Sequence, residues 1–580
     1  MSSGEALATP GAALARAGPS SRLDIAGAVL VACGLFLGLL VALPLAWLAF
    51  FALTDKDGAF TGANLARLVT DDSLAAPLRI SLIVATSVGA ISAAVAAPIA
   101  WFVARTDMPG RNLVRVLITA SFVTPPFLGA IAWEILAAPN SGLLNHWYRW
   151  LHDLPPFVHL FDIYTVAGLI FVDSCYAFPF VFVLVANALD RMPADMEDAS
   201  AILGARPWRT AWRITLPLAL PAILAGMLVA FLRSLTLFGT PAILALPGNF
   251  HTITTKIWSL FQYPPNPGLA AAASIPLLLL TIVLLQVQNR VLGRRGYAVI
   301  AGKAGQARLL RLKHWRWPAF GLCFLVLCLP IGLPYFALLK AAITTTIAEP
   351  LSLQTLTLKH VRFVLFEFSP TRLAFQNTVV LAVATATTGT ALALVVSYAT
   401  ARRLVAGHRL LNFLATAPIA VPGIVLGVGL FLAYTRGPVV LYGTLWILFL
   451  AYLTIELPAA YQQLQSAFRS IHPELEEAGR LFGAGRMRIL RDILAPLLKS
   501  GVIAAWCFIF IGVMRELSAA VMLFTAQTKV ISVVIYDLNE SGDLGAISVL
   551  GIALLAVTFA IVYLAQRVGG AGIGRTARPA

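Results

Sequence analysis

Apolar runs of about 20 residues, each long enough to cross a bilayer as a helix, recur along the whole chain. They fall near 26–52, 78–104, 114–137, 165–189, 219–243 and 269–291, and again near 318–343, 375–401, 411–434, 443–464, 500–524 and 546–566. Composition agrees: 59% of the 580 residues are hydrophobic and 12% are charged. A soluble chain carries about 25% charged residues. The expectation is an all-α integral membrane protein of about 12 transmembrane helices. The first run, Ile25 to Leu53, is too long for the core of a signal peptide and reads as an uncleaved span.

Lysine and arginine set the orientation, because they accumulate in cytoplasmic loops. With a cytoplasmic N-terminus, most of the 42 basic residues fall on the cytoplasmic side. Both termini are therefore expected there, in a bacterial plasma (inner) membrane. The chain divides into a tail (1–24), a six-span half (25–292), a basic linker (293–317), a second six-span half (318–567) and a tail (568–580). The linker holds Arg294, Arg295, Lys303, Arg308, Arg311, Lys313 and Arg316, which suit an anchor on anionic headgroups. The net charge of +16 mostly reflects such loops, and no soluble basic domain exists to bind nucleic acid. Gly302-Lys303-Ala304 lacks the glycine spacing and the hydroxyl residue of a phosphate loop, so nucleotide hydrolysis by this chain is not expected. The five cysteines lie in apolar runs, and no Cys/His spacing resembles a zinc site. Neither a cofactor nor a bound metal is expected, and no catalytic nucleophile–base set appears.

Two loops repeat each other. The first reads Glu197-Asp198-Ala199-Ser200-Ala201-Ile202-Leu203-Gly204, then Ile214-Thr215-Leu216-Pro217. The second reads Glu476-Glu477-Ala478-Gly479-Arg480-Leu481-Phe482-Gly483, then Ile493-Leu494-Ala495-Pro496. The glycines are 279 residues apart, and the same offset relates Pro179 to Pro458 and Phe231 to Phe510. Each half holds an even number of spans, so the halves are parallel repeats about an axis along the membrane normal. Each loop reads as two short helices around a break. Acids at the start suit a helix N-terminus. Gly204 and Gly483 allow a turn with positive φ. A basic amphipathic stretch follows, and the proline ends the loop before the next span. An interfacial helix pair would explain the amphipathicity, but not the shared spacing, which points to a docked partner.

This spacing resembles the Glu-Ala-Ala…Gly…Ile-x-Leu-Pro loop of binding-protein-dependent ABC importer permeases, twice over and across essentially the whole chain. The resemblance implies a type I importer permease fold. It implies one ATPase-coupling loop built on Glu197, Asp198, Ala199, Gly204, Ile214, Leu216 and Pro217. It implies a second built on Glu476, Glu477, Ala478, Gly483, Ile493 and Pro496. It also implies two cytoplasmic ATP-binding subunits and an extracytoplasmic substrate-binding protein as partners. Asp198, Ser200, Gly479 and Ala495 depart mildly from the pattern.

Helix-breaking and charged residues within spans are candidates for a translocation path or gate. They are Pro126, Pro179, Arg233, Phe238, Gly239, Pro422, Pro458, Arg515 and Glu516. Arg515 and Glu516 are expected mid-helix in span eleven, where adjacent residues find different partners. Glu516 falls on Leu237 in the register, so an unequal path is expected. Kink packing is the bland alternative for the prolines. Phe238-Gly239-Thr240-Pro241, the Tyr297 to Lys303 stretch and Arg515-Glu516-Leu517-Ser518 resemble ferric-iron importer permeases. Relatives for thiamine, phosphonates, phosphorylated sugars and polyamines share much of the pattern. An outer loop with His146, Tyr148, His152, Asp153, His159, Asp162 and Tyr164 either offers Fe(III) ligands or forms an amphipathic helix that meets a binding protein. An ion-coupled secondary transporter is the rival class; it would not need matched loops.

Overall fold

The computed structural model describes residues 25–568 except 56, 194, 295–308, 348, 350, 406 and 436–438. The tails 1–24 and 569–580, and most of the linker including Lys303, lie outside the described residues. Among the described residues, ten helices are long and apolar enough to cross a membrane. In chain order they are spans one (Gly27–Ala52), two (Asp72–Arg105), four (Val166–Asp190), five (Trp208–Thr236), six (Pro267–Gln288), seven (Lys313–Ile343), eight (Ser369–Ala401), ten (Leu445–Ser470), eleven (Leu490–Met514) and twelve (Leu544–Ala565).

Spans three and nine are bent pairs: Arg111–Val123 with Pro126–Ala137 at 101°, and His408–Ala420 with Gly423–Thr435 at 105°. Proline pushes the residue before it out of the helical region. Thr124 and Pro125, each followed by proline, take ψ of 121° and 132°, and Val421 before Pro422 takes 110°. Two extended residues in one case, and one in the other, turn each span nearly at right angles.

Within each half, the second, fourth and fifth spans pack together as a three-helix core. The first spans are exchanged. Span one lies against span nine of the second half, and span seven against span three of the first. Gly429 of span nine lies so close to the backbone of Pro44 in span one that an added Cβ would stand 2.7 Å from its carbonyl. The two halves are therefore clamped through their own first helices.

Spans five and eleven end earlier than expected from the apolar runs, at Thr236 and Met514, and the chain breaks before short helices Gly239–Leu244 and Ala520–Leu523. The apolar run continues past the break, so hydropathy alone overshoots. Unpaired backbone is costly in lipid and persists only where protein groups satisfy it. Thr254 donates its hydroxyl to the Leu237 carbonyl at 2.9 Å, and Ser532 donates to the Glu516 carbonyl at 2.7 Å. Ser81 accepts from Ile253 N at 2.8 Å, and Thr378 accepts from Ile531 N at 2.9 Å. Hydroxyls on the short helices Ile253–Ser259 and Ile531–Glu540 thus hold matching breaks in the two halves, and hydroxyls from spans two and eight anchor the starts of those helices.

Candidate functional site

The repeated loops project from one face of the bundle, called here the loop face. Each has the expected helical segments on either side of a glycine break, but the second is not a separate helix: it runs on through a π-helical turn into the next span. Asp195–Ile202 and Pro207–Thr210 flank Gly204 at φ +76°, while Glu474–Leu481 and Arg486–Ile489 flank Gly483 at φ +77°. A Cβ at either glycine would meet nothing within 4 Å, so the backbone conformation rather than space demands glycine. Ser200 and Thr210 share a 2.8 Å hydrogen bond between the two helices of the first loop. At the same register positions the second loop has Gly479 and Ile489, and an added Cβ on Gly479 would stand 3.2 Å from Ile489. Different chemistry closes the same gap, which accounts for the departures at Ser200 and Gly479.

The loop tips carry bare apolar surface. Ile202 and Leu203 are 85% and 86% exposed, and their register mates Leu481 and Phe482 are 88% and 92% exposed. Ala199, Ala478 and Glu477 are exposed, Asp198 is half-buried, and Ile214, Leu216 and Ile493 are half-buried beneath them. Pro217 and Pro496 lie inside spans five and eleven, each directly after a π-helical turn, Ala211–Thr215 and Leu490–Leu494.

Glu197 and Glu476 do not join this surface. Both are buried, and each meets an arginine at the loop-face end of the second span in its half. Arg105 donates Nε to Glu197 Oε2 at 3.0 Å, its Nη2 bonds the same oxygen, and Thr215 donates to Glu197 Oε1 at 2.6 Å. Arg402 donates Nε to Glu476 Oε1 at 2.7 Å and Nη2 to the Ile471 carbonyl at 3.0 Å. Sequence reasoning missed both arginines. The signal was a second register: Arg402 lies 297 positions after Arg105, whereas the glutamates are 279 apart.

The candidate path residues meet only in part. Pro126, Arg233 and Arg515 line a small cavity of about 40 Å³ between the halves, together with Asp173, Tyr176 and Phe180. Arg233 lies 4.8 Å above the Phe180 ring. Arg515 is not mid-helix as expected; it caps the end of span eleven and reaches across to the Phe122 carbonyl of the first half at 2.5 Å. Phe122 lies at the bend of span three, where the helix leaves carbonyls without partners. Glu516 is also outside the helix, and its carboxylate accepts from Ala519 N and Ala520 N at 3.1 and 3.2 Å. Glu516 also stands beside Gly423, just after Pro422. Phe238 is fully buried, with Trp258 and Tyr536 rings at 6.1 and 6.3 Å, and Gly239 lets Phe127 approach. Pro179 and Pro458 are buried inside unbroken helices and do not line the cavity.

Two further carboxylates belong to this region. Glu456 of span ten interacts electrostatically with Arg233, Arg515 and Glu516, and packs onto Gly512, the register mate of Arg233. Asp173 accepts from Ser234 at 3.0 Å, while its other oxygen has no hydrogen-bond partner.

On the opposite face, Leu143–His152 forms the expected amphipathic outer helix, exposing Trp147, Trp150 and Leu151. Asn145 fixes it by donating to the Ala138 and Phe161 carbonyls and accepting from Leu160 N and Phe161 N, all at 2.8–2.9 Å. The loop's His and Asp residues form no group of three metal-ligating side chains, nor does any other set among the described residues.

The sequence profile of binding-protein-dependent transport system inner membrane components matches twice, at residues 96–295 and 389–569. The chain belongs to that family. It is a multi-pass inner membrane permease subunit of an ABC importer, with ATP hydrolysis on separate subunits. Each matched segment contains one of the repeated loops. A ferric transport system permease protein of Actinobacillus pleuropneumoniae is 25% identical over 89% of this chain and 74% of its own length. An Fe(3+)-transport system permease protein of Haemophilus influenzae is 24% identical over 84% of this chain and 88% of its own. A solved bacterial ABC transporter that imports the acidic polysaccharide alginate aligns with a TM-score of 0.40 at 18% identity, covering 48% of this chain and 97% of its own.

Proposed function

We propose that this permease carries iron(III) into the cell. One ATPase subunit docks on each loop, and a binding protein delivers the ion at the opposite face. The loop face is then cytoplasmic, as are both termini. The observation that carries the substrate is the match to ferric transport permeases along more than four-fifths of the chain. The docking role rests on the matched apolar tips, Ile202–Leu203 and Leu481–Phe482, held out by the positive-φ glycines. The gate is the interface where Pro126, Arg233 and Arg515 meet.

A second reading is favoured by the two guanidinium groups at that cavity: an oxyanion substrate. Single-half relatives include a molybdenum transport permease of Haemophilus influenzae, 28% identical over 36% of this chain, and a sulfate transport permease of Escherichia coli, 27% identical over 45%. Uptake of labelled ferric ion by vesicles holding the permease, its ATPase and its binding protein tests the proposal. Iron uptake that depends on ATP and ignores excess molybdate or sulfate supports it. Uptake of either oxyanion in place of iron overturns it.

A further inference from the structure

We propose that the buried pairs Arg105–Glu197 and Arg402–Glu476 are the positioning links that carry motion of each docking loop into the membrane. The proposal rests on the docking role given to the loops above and adds the residues that transmit it.

A loop that joins spans four and five could move its partner helices only through its own two ends. The ion pair adds a third attachment, to span two. Arg105 is 1% exposed and Glu197 3% exposed, so the pair sits in a low-dielectric setting where neither charge can leave without cost. The fork is planar and fixed, which transmits direction as well as attraction. Arg105 Nη1 also reaches the Leu189 and Met192 carbonyls, at 3.4 and 3.3 Å, where span four ends. One side chain therefore gathers spans two and four and the loop.

The turn after Arg105 extends the link to the other half. Leu310 N donates to the Arg105 carbonyl at 2.9 Å, Asp107 N to the Leu310 carbonyl at 3.1 Å, and Leu312 N to Asp107 Oδ1 at 2.8 Å. These bonds fasten the end of the linker to the arginine's own backbone. Met108 then touches Cys323 at 3.7 Å between sulfurs, and Gly110, at φ +68°, admits Phe320. Cys323 and Phe320 belong to span seven, the first helix of the second half. The second half repeats the scheme without a linker. Arg402 holds Glu476 and the Ile471 carbonyl, and the helix after its turn places Leu411 against Gly34 of span one, 3.7 Å from where a Cβ would stand. Each loop is thus tied, through one arginine, to the exchanged first span of the opposite half.

The test uses the assembled importer in vesicles and reads three quantities: ATPase association, ATP hydrolysis, and iron transported per ATP. The variant Arg105→Met/Glu197→Gln removes both charges together and leaves no unpaired ion. It is expected to bind the ATPase normally and to transport about tenfold less iron per ATP, the scale of a coupling energy between two sites. Arg105→Lys keeps the charge, loses the fork, and is expected to fall between this variant and wild type. If the double variant does not assemble, Arg105→Lys decides alone. An unchanged transport-to-ATP ratio in an assembled variant overturns the proposal, because a purely structural pair would change yield and not the ratio. The docking role is separated by Leu203→Asp/Phe482→Asp, expected to lose ATPase association; if association survives, the docking reading fails, whatever the arginine variants do.

Discussion

The loop face and the interface buried between the halves have diverged to different degrees. At the loop face the halves agree feature for feature: positive-φ glycines, paired apolar tips, and a buried glutamate held by an arginine. Where they differ, as at Ser200–Thr210 against Gly479–Ile489, the substitution closes the same gap. At the interface they disagree in charge. In the 279-residue register Arg233 corresponds to Gly512, Glu456 to Ala177, and Glu516 to Leu237. The vacancy at Gly512 is filled by Glu456, so the acid of one half occupies the space left by a missing arginine side chain. Surfaces that meet copies of one ATPase are held equal under the proposed function. A path that meets a single substrate is under no such demand and is free to be lopsided.

The largest expected effect breaks the equal side. Gly204→Val with Gly483→Val forces a β-branched residue into the left-handed region, at a cost of about 1–2 kcal/mol per position. Uptake should fall by at least about tenfold while the protein still inserts and assembles, since the strain at two tips is worth more than one such factor. Uptake at the wild-type rate would show that the loops carry no drive.

The next effects sharpen the unequal side. Arg515→Met removes the bond to the Phe122 carbonyl, a charged hydrogen bond worth about 1.5–3 kcal/mol. ATP hydrolysis without binding protein should rise several-fold, because the halves are no longer latched. The mate substitution Thr236→Met should leave it unchanged, and equal effects from both would erase the asymmetry. Arg233→Met and Glu456→Ala should each lower uptake, and the double variant should recover part of the loss, with a coupling of about 0.5–3 kcal/mol. Strict additivity would mean the two do not act together.

The smallest effect is at Ser200. Ser200→Ala loses the hydrogen bond to Thr210, worth about 1 kcal/mol. Thermal stability should drop slightly with uptake retained, and Thr210→Ala should add little more.

Most of this architecture is legible in the sequence because lipid leaves few choices. Length and hydropathy locate ten long apolar helices and two bent pairs, and the 279-residue offset finds both loops. The tandem prolines at 125 and 126 mark a break, but only the fold shows that it turns a span by 101°. The apolar run continues beyond Met514 and hides the break, so the sequence alone sets Arg515 and Glu516 mid-helix. The latch of Arg515 was unreadable for a different reason: its partner is a backbone carbonyl, which carries no residue identity. The arginine–glutamate links escaped because their two members follow different offsets. The longer outer connection of the first half, which holds the helix Leu143–His152, lies between them and shifts the register from 297 to 279. Burial of Glu197 and Glu476 was equally hidden, since acids at a helix start read as solvated.

The claim that one chain presents two equivalent docking surfaces is tested most directly by the mass of the intact importer, released gently from detergent and weighed by native mass spectrometry. The account predicts two ATPase subunits on each permease chain, with Leu203→Asp or Phe482→Asp alone each reducing that to one. A wild-type complex holding a single ATPase, or one that keeps both when either tip is charged, would contradict it.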